Sequence, residues 1–422
     1  MFHQISAAFS GFLWGPPMLA VFLLTGLYLT LRSRAFVLRR LRLWVRLTFG
    51  SLCRKQHGPA RDVHSISQWQ ALTSALAACL GTGNIVGVAT ALTLGGPGAI
   101  VWMWVSALLG TMTCCVENIL GLKYRWRSPD GVWMGGPMAY LSKGLQSKTL
   151  AGLYAALLSL AAFGIGNMTQ ANAIAEAAAQ TLHAPAWGVG FVLASLLALV
   201  IFGGIKRIAR VTEFLVPIMT GLFLLACLVV LIARYKALPG ALVLMFRGAF
   251  APTAALGGAA GYTCKKALRY GVARGVFSNE AGLGSSAVIH AAADAQSPAV
   301  QGMWGIAEVC IDTLLMCTVT ALVFLCSGAW QPGGTLTGTA LAAAAFTPVF
   351  GRFGGHFIAM SIALFAFATL TGWSFYGEQG ARYLLGKKAV PWYRALYLAA
   401  AVLGCLLRLE TVWNLADILN GL

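Results

Sequence analysis

Charged residues are scarce in this sequence. Only 10% of the 422 residues are Asp, Glu, Lys or Arg, and only 12 are acidic. Soluble domains carry about 25% charged residues, so this composition cannot build a water-solvated surface. With 59% hydrophobic residues and a mean hydropathy of +0.76, the chain is expected to form one all-α polytopic membrane domain without a soluble domain.

The short motifs of common enzyme classes are also missing. The sequence has no HExxH, paired Cys-x-x-Cys, P-loop or GxSxG string, and its six histidines are scattered. Gly-Leu-Gly-Ser-Ser at 282–286 superficially resembles a nucleophile motif, but no positioned base accompanies it. Most of the ten cysteines lie in apolar stretches without zinc-like spacing, and we interpret them as small core residues. We therefore expect no enzyme, and no nucleic-acid partner despite the net charge of +18.

Long apolar stretches recur along the chain. A helix needs about 20 apolar residues to cross a bilayer. We predict one extra N-terminal helix at 10–32, followed by ten core spans. The core spans are near 68–94, 97–122, 150–180, 186–204, 212–233, 271–292, 302–327, 355–380, 390–407 and 410–422. A connection at 234–270 is amphipathic and is expected to lie along the membrane surface.

The positions of basic residues predict the orientation. The segments 32–62, 121–149, 204–212 and 381–394 hold nine, five, three and four Lys or Arg residues, which is 21 of the 30 in the chain. These segments share one face of the predicted topology, and cytoplasmic loops are enriched in Lys and Arg. We therefore predict that the N-terminus lies outside and the loop 32–62 inside, in the cytoplasmic (inner) membrane of a bacterium.

The core divides into two halves of five spans, 68–233 and 271–422. An odd number of spans places the halves in opposite orientations. Each half opens with a helix interrupted by glycines, at Gly81-Thr82-Gly83-Asn84 and at 278–286. Glycine clusters also serve close helix packing, but broken helices at corresponding positions of two repeats indicate a transporter binding site.

A helix break inside a membrane frees backbone N–H and C=O groups, which need other partners. The freed N–H groups at 81–84 could hold a carboxylate at a half-helix N-terminus. The freed carbonyls and the Asn84 amide oxygen could bind a hard cation such as sodium. Because neither half of this helix contains an acid, a small zwitterion with a monovalent cation fits better than a divalent metal.

Several long motifs carry a family resemblance. They are ALTSALAACLGTGNIVGVATALTLGGPGAIVWMWVSALLG, GGPMAYL, GNMTQANAIA, GGIKRIARVTE, RYGVARGVFSNEAGLGSSAVIHAAA and GWSFYGE. Together they resemble the alanine or glycine:cation symporter family from about residue 65 onward. The resemblance implies a leucine-transporter-like 5+5 inverted repeat that imports alanine, glycine or a related small amino acid with sodium. The GTGN string also resembles the GxGN of neurotransmitter:sodium symporters, whose Asn binds sodium.

The resemblance assigns candidate site residues by position. Gly81, Asn84 and Thr369 are the expected sodium ligands. The expected substrate-binding residues are Thr82, Gly83, Asn84, Gln170, Phe277, Ser278, Asn279, Gly282, Thr369 and Trp373. Trp373 would limit the size of the substrate side chain. Interhelical hydrogen bonding for Gln170, and core packing for Thr369 and Trp373, remain alternatives.

Acidic residues within or beside the apolar spans are functional candidates by default. They are Glu117, Glu176, Glu280, Glu308, Asp312 and Glu378. Glu280 lies at the second break with Arg274 nearby and is the best of these candidates, and we expect a gate or scaffold role for it. Glu117 and Glu378 lie near predicted inner ends, and we expect a gate or scaffold role for them through pairing with Arg125 or Arg382. Direct substrate binding is not the expected role of these acids.

Two features depart from the family pattern. The eighth core helix reads Phe367-Ala368-Thr369 where the family has Phe-Ser-Thr, so one hydroxyl expected near sodium is missing. Thr371 points to another helical face. Residues 410–422 would span about 20 Å as a helix, against roughly 30 Å of hydrocarbon, so a shortened last span is expected.

The sequence thus predicts a sodium-coupled importer of a small neutral amino acid that works by alternating access. A non-transporting receptor or degenerate paralogue that keeps the pocket is the main alternative, and a channel is the third. The preferred amino acid, the sodium stoichiometry and the oligomeric state stay open, although a monomer is compatible with everything above.

Overall fold

The described part of the chain up to residue 233 is mostly helical. The computed structural model describes residues 15–52, 65–250, 264–295 and 297–407, together with 412, 416 and 419. The first helices are α1 Pro16–Arg32, α2 Phe36–Arg39, α3 Leu41–Leu47, α4 Phe49–Leu52, α5 Gln68–Cys79, α6 Val86–Gly95 and α7 Gly98–Lys123. The next are α8 Pro137–Ala139, α9 Lys148–Phe163, α10 Thr169–Leu182, α11 Ala186–Ile201 and α12 Gly204–Ala233.

The connection and the second half are also helical. Their helices are α13 Leu238–Phe250, α14 Cys264–Asn279, α15 Ser285–His290, α16 Pro298–Val309, α17 Thr318–Cys326, α18 Gly338–Phe350, α19 Arg352–Leu385 and α20 Val390–Leu406. Two short strands, β1 Trp126–Arg127 and β2 Trp133–Met134, pair antiparallel after α7. A π-helical turn of five residues at Gly164–Met168 joins α9 to α10, and a π-helical segment of eight residues at Cys310–Cys317 joins α16 to α17. Single π-helical turns are frequent at functional sites.

The helix lengths and surfaces fit a bilayer. Six continuous helical segments are long and apolar enough to cross a membrane, and four shorter apolar helices accompany them within the described ranges. The outward side chains of α12 are large and apolar: Phe214 is 66% exposed and Leu225 is 59% exposed. A soluble protein rarely exposes an apolar surface of this extent, so these side chains face lipid.

Two predicted segments differ from the structure. The connection 328–354 contains α18, an alanine-rich helix of 13 residues. This helix is too short to be predicted as a membrane span, and it packs on α19 and α6. The predicted amphipathic segment 234–270 contains α13, which packs against α7, while 251–263 lies outside the described residues. The predicted last span 410–422 also lies outside them, apart from 412, 416 and 419.

The first half of the chain packs closely on the second. Helix α7 packs along both α14 and α16, and α19 packs along α9, α10 and α5. Small residues allow these approaches: a Cβ on Gly372 of α19 would lie 2.9 Å from the Cβ of Ala78 on α5. The packing brings the two interrupted helices, α5–α6 and α14–α15, together at the centre of the molecule.

Candidate binding site at the two helix breaks

The first break interrupts the helix between α5 and α6. Helix α5 ends at Cys79, and Thr82–Asn84 form a single 3-10 turn before α6 begins at Val86. The Asn84 side chain caps this turn, since its Oδ1 accepts a hydrogen bond of 3.1 Å from the Gly81 backbone N–H. Thr82, Gly83 and Asn84 are all buried, as a site for a desolvated ligand requires.

Gln170 touches the break directly. Its Oε1 accepts a hydrogen bond of 3.2 Å from the Thr82 backbone N–H, and its Nε2 donates to the Ile165 carbonyl at 3.0 Å. Ile165 belongs to the π-helical turn between α9 and α10, so the turn helps to aim Gln170 at the break. The buried Thr82 hydroxyl has no hydrogen-bond partner within the described part of the chain. A buried polar atom without a partner is a group available to a ligand.

Asn84, Ser278 and Asp312 meet where the two breaks face each other. The Asn84 Nδ2 donates to Asp312 Oδ1 at 2.6 Å and to the Ser278 hydroxyl at 3.2 Å. The Ser278 hydroxyl donates to Asp312 Oδ2 at 2.8 Å, and the Thr313 hydroxyl donates to the same oxygen at 2.7 Å. Asp312 has no solvent exposure, and no Lys, Arg or His in the described ranges forms an ion pair with it.

Thr369 lies on the other side of Gly81. Its hydroxyl donates to the Ala77 carbonyl at 3.1 Å, and a Cβ added to Gly81 would overlap the Thr369 hydroxyl. No hydrogen bond joins Thr369 to Asn84 in the residues that the structure describes. The three predicted sodium ligands are nonetheless neighbours, since the Gly81 N–H bonds to Asn84 Oδ1 and Gly81 adjoins the Thr369 hydroxyl. Thr371 donates to the Phe367 carbonyl at 2.7 Å, which fits its prediction as a poor substitute for the missing hydroxyl.

The second break lies between α14 and α15 and is bound to α19. Glu280 has a left-handed backbone with φ +55°, and its carboxylate accepts hydrogen bonds from the Ser285 hydroxyl and, at 2.8 Å, from the Trp373 indole N–H. Trp373 is 2% exposed. It packs on Gly166, where any Cβ would overlap the indole ring. Trp373 thus joins the second break, α19 and the π-helical turn at Gly164–Met168.

Of the other predicted residues of the second break, Phe277 and Asn279 are buried and Gly282 is exposed. Phe277 lies within reach of Gly83, since a Cβ on Gly83 would be 3.7 Å from the Phe277 ring. Asn279 donates to the Thr313 hydroxyl at 3.1 Å and accepts a hydrogen bond from the Ala281 backbone N–H. Gly282 has φ +96° and packs against the Phe22 ring of α1. Asn279 and Gly282 therefore border the site through these groups.

The remaining acids have different surroundings. The Glu117 carboxylate accepts a hydrogen bond of 3.3 Å from the Gly282 backbone N–H, while Arg125 donates to the Ala291 and Ala293 carbonyls. The expected pairing of Glu117 with Arg125 is therefore wrong. It fails because Glu117 lies two turns back along α7, where the broken helix offers a free backbone donor.

Glu378 does form the expected pair with Arg382. Its Oε1 lies 3.4 Å from the Arg382 guanidinium, and its Oε2 accepts a hydrogen bond of 2.8 Å from Arg394. Arg382 also pairs with Asp130, in the loop after α7. This network joins α19 and α20 to the loop between β1 and β2.

Sequence reasoning placed Asp312 among six intramembrane acids but did not single it out. No local sequence pattern predicts the contact between Asp312 and Asn84, because the two residues lie 228 positions apart along the chain. A buried acid in an apolar span opposite a break was the available signal.

Comparisons with known proteins identify the family. A sequence profile described as the sodium:alanine symporter family matches residues 1–422. An "Uncharacterized transporter" of Haemophilus influenzae is 42% identical over 425 residues, covering 100% of this chain and 91% of that protein. "Sodium/alanine symporter AgcS" of Methanococcus maripaludis is 42% identical over 418 residues, covering 98% and 90%. "Probable sodium/glutamine symporter GlnT" of Bacillus subtilis is 36% identical over 411 residues, covering 97% and 84%.

Solved structures show the fold. A manganese transporter of Eremococcus coleocola superposes with a TM-score of 0.56 at 14% identity, covering 83% of this chain and 74% of that one. A Na+-coupled sialic acid symporter in an outward-open state gives a TM-score of 0.54 at 13% identity, covering 98% and 82%. The predicted fold class, an all-α membrane protein of leucine-transporter-like architecture, is confirmed.

These comparisons also confirm the predicted type of activity. The relatives are named as transporters and not as enzymes. The chain is therefore an integral membrane protein and a sodium-coupled amino-acid symporter, and it belongs to the sodium:alanine symporter family.

Proposed function

We propose that the protein imports alanine or glycine together with sodium, and that Asp312 supplies the charge that binds the sodium ion. The observation that carries this proposal is a fully buried carboxylate that has no ion pair with a cationic side chain among the described residues. Burying an uncompensated charge costs several kcal/mol. A sodium ion between Asp312, Ser278 and Asn84 would remove that cost, and hard oxygen ligands suit sodium.

The proposal changes the ligand set expected from the sequence. Asn84 stays in it, and Ser278 and Asp312 join it. Without sodium, the Asn84 amide and the hydroxyls of Ser278 and Thr313 donate to Asp312. With sodium, the hydroxyls can turn their oxygen lone pairs to the ion, and Asn84 has to rotate its amide so that Oδ1, which accepts the Gly81 N–H in this structure, faces the ion in place of Nδ2. We assign to Thr369 and Gly81 a role in shaping the break, because the Thr369 hydroxyl donates to the Ala77 carbonyl at the end of α5.

The substrate carboxylate would lie against the break at 81–84. The backbone N–H groups there begin a half-helix and favour negative charge. The unpartnered Thr82 hydroxyl can donate to the same carboxylate, and Gln170 holds the Thr82 backbone in place. Phe277 and Trp373 would enclose the side chain.

A small substrate fits the crowding around the breaks. Trp373 is held on both sides, by Glu280 and by Gly166, so it cannot swing away for a large side chain without breaking a buried hydrogen bond. The relative named for alanine also shares more of this sequence than the relative named for glutamine, 42% against 36%.

Sodium binding would couple to transport through the two breaks. Asn84 belongs to the first interrupted helix and Ser278 to the second, so an ion that bridges them stabilises one relative arrangement of the two helices. Coupling requires that the outward and inward states differ in their affinity for sodium. We propose that tilting of the first and sixth core helices then exposes the site to the cytoplasm.

Uptake into proteoliposomes tests the proposal. Purified protein should take up radiolabelled alanine and glycine when sodium is outside, and should not when choline replaces sodium. Asn84→Ala should lose sodium-dependent uptake while keeping its chromatographic profile. Uptake that is equal in sodium and choline would refute the sodium coupling, and glutamine uptake exceeding alanine uptake would refute the substrate assignment.

A further inference from the structure

Two polar side chains of α19 are buried beyond Trp373, on the side of the molecule predicted to be cytoplasmic. Tyr376 and Gln379 follow Trp373 by three and six residues, which places them about 4.5 Å and about 9 Å further along the helix. The Tyr376 ring packs edge-on against the Trp373 indole, with 5.4 Å between the ring centroids. The two side chains are therefore the next polar groups along α19 after the candidate binding site.

The polar atoms of these side chains have nothing to bond to. The Tyr376 hydroxyl and both the Oε1 and the Nε2 of Gln379 are buried and have no hydrogen-bond partner within the described ranges. Tyr376 is 0% exposed and Gln379 is 1% exposed. An unpartnered buried donor or acceptor costs free energy, and native proteins keep few of them. Three such atoms on adjacent turns of one helix indicate groups that gain partners in another state of the transport cycle.

These atoms lie on the face of α19 that contacts α5. A Cβ on Gly372 would lie 2.9 Å from the Cβ of Ala78, so the contact between the two helices passes through Gly372. Tyr376 and Gln379 follow Gly372 by four and seven residues and therefore share its face. Gly380, in contrast, faces α9.

Helix α5 offers only methyl groups to this face. The first and the eighth core span cross the membrane in opposite directions, so the part of α5 beside Tyr376 and Gln379 precedes Ala78. Three and seven residues before Ala78 on the same face stand Ala75 and Ala71, and both are 0% exposed. An alanine side chain neither donates nor accepts a hydrogen bond, so the three atoms stay unpartnered as long as α5 is packed on α19.

The cytoplasmic ends of the two broken helices are closed over this region. The Ile66 N–H, just before α5, donates to the Ala292 carbonyl at 3.1 Å, and the Asp294 N–H donates to the Ile66 carbonyl at 2.8 Å. Arg125 donates to two further carbonyls of the segment that follows α15. Opening toward the cytoplasm has to separate these ends, and the same movement of α5 uncovers Tyr376 and Gln379.

We propose that Tyr376 and Gln379 form an exit subsite, which binds the amino acid after it has left the helix breaks and before it enters the cytoplasm. The Tyr376 hydroxyl and the Gln379 Nε2 donate to the substrate carboxylate, and the Gln379 Oε1 accepts from its ammonium group. Only hydrogen bonds form and break in this step. The inference rests on the function proposed above, since it deepens the path of the same substrate.

The chemistry of the exit subsite selects a zwitterion. Tyr376 and Gln379 bring donors and an acceptor but no net charge, which suits a ligand with both charges and not a lone ion, whose burial needs an opposite charge. The subsite contacts only the carboxylate and the ammonium group, which all α-amino acids share. We therefore expect it to pass any amino acid that the breaks accept, without further selection by side chain.

The exit subsite also favours opening. In the closed state its three atoms are unpartnered, and in the open state they bond to the substrate or to water. Tyr376→Phe and Gln379→Leu remove this difference, so the closed state becomes more stable relative to the open state. We expect release to the cytoplasm to slow, while binding at the breaks, which these side chains do not contact, stays the same.

Uptake and binding measured on the same variants test this division. In proteoliposomes, the Tyr376→Phe/Gln379→Leu double variant should lower the maximal rate of sodium-dependent alanine uptake about tenfold. Its Kd for radiolabelled alanine in sodium-containing detergent solution should stay within about twofold of the wild type. Tyr393→Phe is the matched control, because its hydroxyl donates to the Ser159 carbonyl at 3.3 Å, away from α5, and its rate should match the wild type.

Thermal unfolding tests the unpartnered hydroxyl directly. Tyr376→Phe should unfold at a higher temperature than the wild type, since it removes a buried hydroxyl that has no partner and keeps the ring. Tyr393→Phe removes a hydroxyl that has a partner and should unfold at a lower temperature. A lower unfolding temperature for Tyr376→Phe would show that its hydroxyl is bonded in the closed state and would overturn the exit subsite.

Cysteine labelling from the cytoplasmic side shows whether the substrate reaches the subsite. Gln379→Cys in inside-out membrane vesicles should react with an impermeant maleimide, above the background of the native cysteines in the wild type. Alanine should slow this reaction. Adding Tyr376→Phe should raise the alanine concentration needed for half-protection about tenfold.

The outcomes separate the exit subsite from the proposed function. An unchanged uptake rate in the double variant would overturn the subsite, and so would a loss of its alanine binding, which would place the two residues at the breaks. A wild type that takes up neither alanine nor glycine would refute the proposed function. Labelling then decides on the subsite alone: protection of Gln379→Cys by any of the twenty common amino acids would support it, and protection by none would overturn it.

Discussion

The Asn84 side-chain nitrogen lies 2.6 Å from the Asp312 carboxylate. This contact joins the first break to the helix that follows the second break. It gives a carboxylate without solvent exposure a hydrogen-bond donor but no counter-charge. In our proposal, the coupling ion therefore binds at this contact, between the two interrupted helices.

Asp312→Asn is expected to lower sodium-dependent uptake at least tenfold. The substitution keeps the size of the side chain and removes the charge that would bind the ion, and a desolvated cation depends strongly on that charge. Uptake at increasing sodium concentration measures the effect. Glu176→Gln is the control, and an Asp312→Asn protein with wild-type sodium dependence would contradict the assignment.

Gly81→Ala is expected to abolish uptake. A Cβ there would overlap the Thr369 hydroxyl and lie 3.2 Å from Gln170 Oε1, in a place that also has to admit the substrate carboxylate. Gly221→Ala, where a Cβ would meet nothing within 4 Å, should leave uptake unchanged. Adding Thr369→Ala to Gly81→Ala should recover thermal stability, since it removes the overlapping atom; a double variant less stable than Gly81→Ala would argue against this contact.

Trp373→Phe is expected to destabilise the protein by about 1–3 kcal/mol, because it leaves a buried oxygen of Glu280 without its donor. The ring itself should still fill the space beside Gly166. Thermal unfolding in detergent measures the loss. Combining the change with Glu280→Gln tests its cause: the effect of Trp373→Phe should become smaller in the Glu280→Gln background, and equal effects in both backgrounds would exclude the hydrogen bond as the reason.

The Asp130–Arg382 pair predicts a pH-dependent contribution to stability. Burial acts to raise the pKa of Asp130. The hydrogen bonds from Ser128 and Arg382, together with the positive charge of Arg382, lower it by more, so the pKa of Asp130 lies below its usual value. A carboxyl group whose pKa is lower in the folded than in the unfolded protein stabilises the fold at pH values above the unfolded-state pKa. This stabilisation is lost as the pH falls through the folded-state pKa. Asp130→Asn should therefore lower the melting temperature at neutral pH, and the difference from wild type should shrink below about pH 4.

Arg382→Gln provides the control for that pair. In this background Asp130→Asn should have little further effect, because the partner is already absent. An undiminished effect would assign the stability to Ser128 instead.

Cysteine labelling tests the proposed orientation. Thr335→Cys, in the exposed loop before α18, should react with a membrane-impermeant maleimide on intact cells, and Lys387→Cys, in the exposed turn before α20, should react only after the cells are opened. Both positions are exposed, so a difference in reaction reports sidedness. The reverse pattern would place the N-terminus inside.

The sequence by itself determined the class of protein and the positions of the two helix breaks. Scarce charge and repeated apolar stretches require a bilayer, because such a chain cannot cover itself with polar groups. Glycines at the start of each half marked both breaks, since helix interruption is a local property. The family motifs added the symporter activity, and Gln170 and Trp373 indeed lie at the breaks.

Only the tertiary structure decided which acid faces which break. Asp312 meets Asn84, Glu280 meets Trp373, and Glu117 meets the Gly282 backbone and not Arg125. The pairs Asn84–Asp312, Glu280–Trp373 and Glu117–Gly282 lie 228, 93 and 165 positions apart along the chain, and helical periodicity carries no information across such distances. The packing of α7, α14–α15 and α16 determines these contacts. The burial of small residues fixes the rotation of each helix about its axis and therefore the direction of every polar side chain on it.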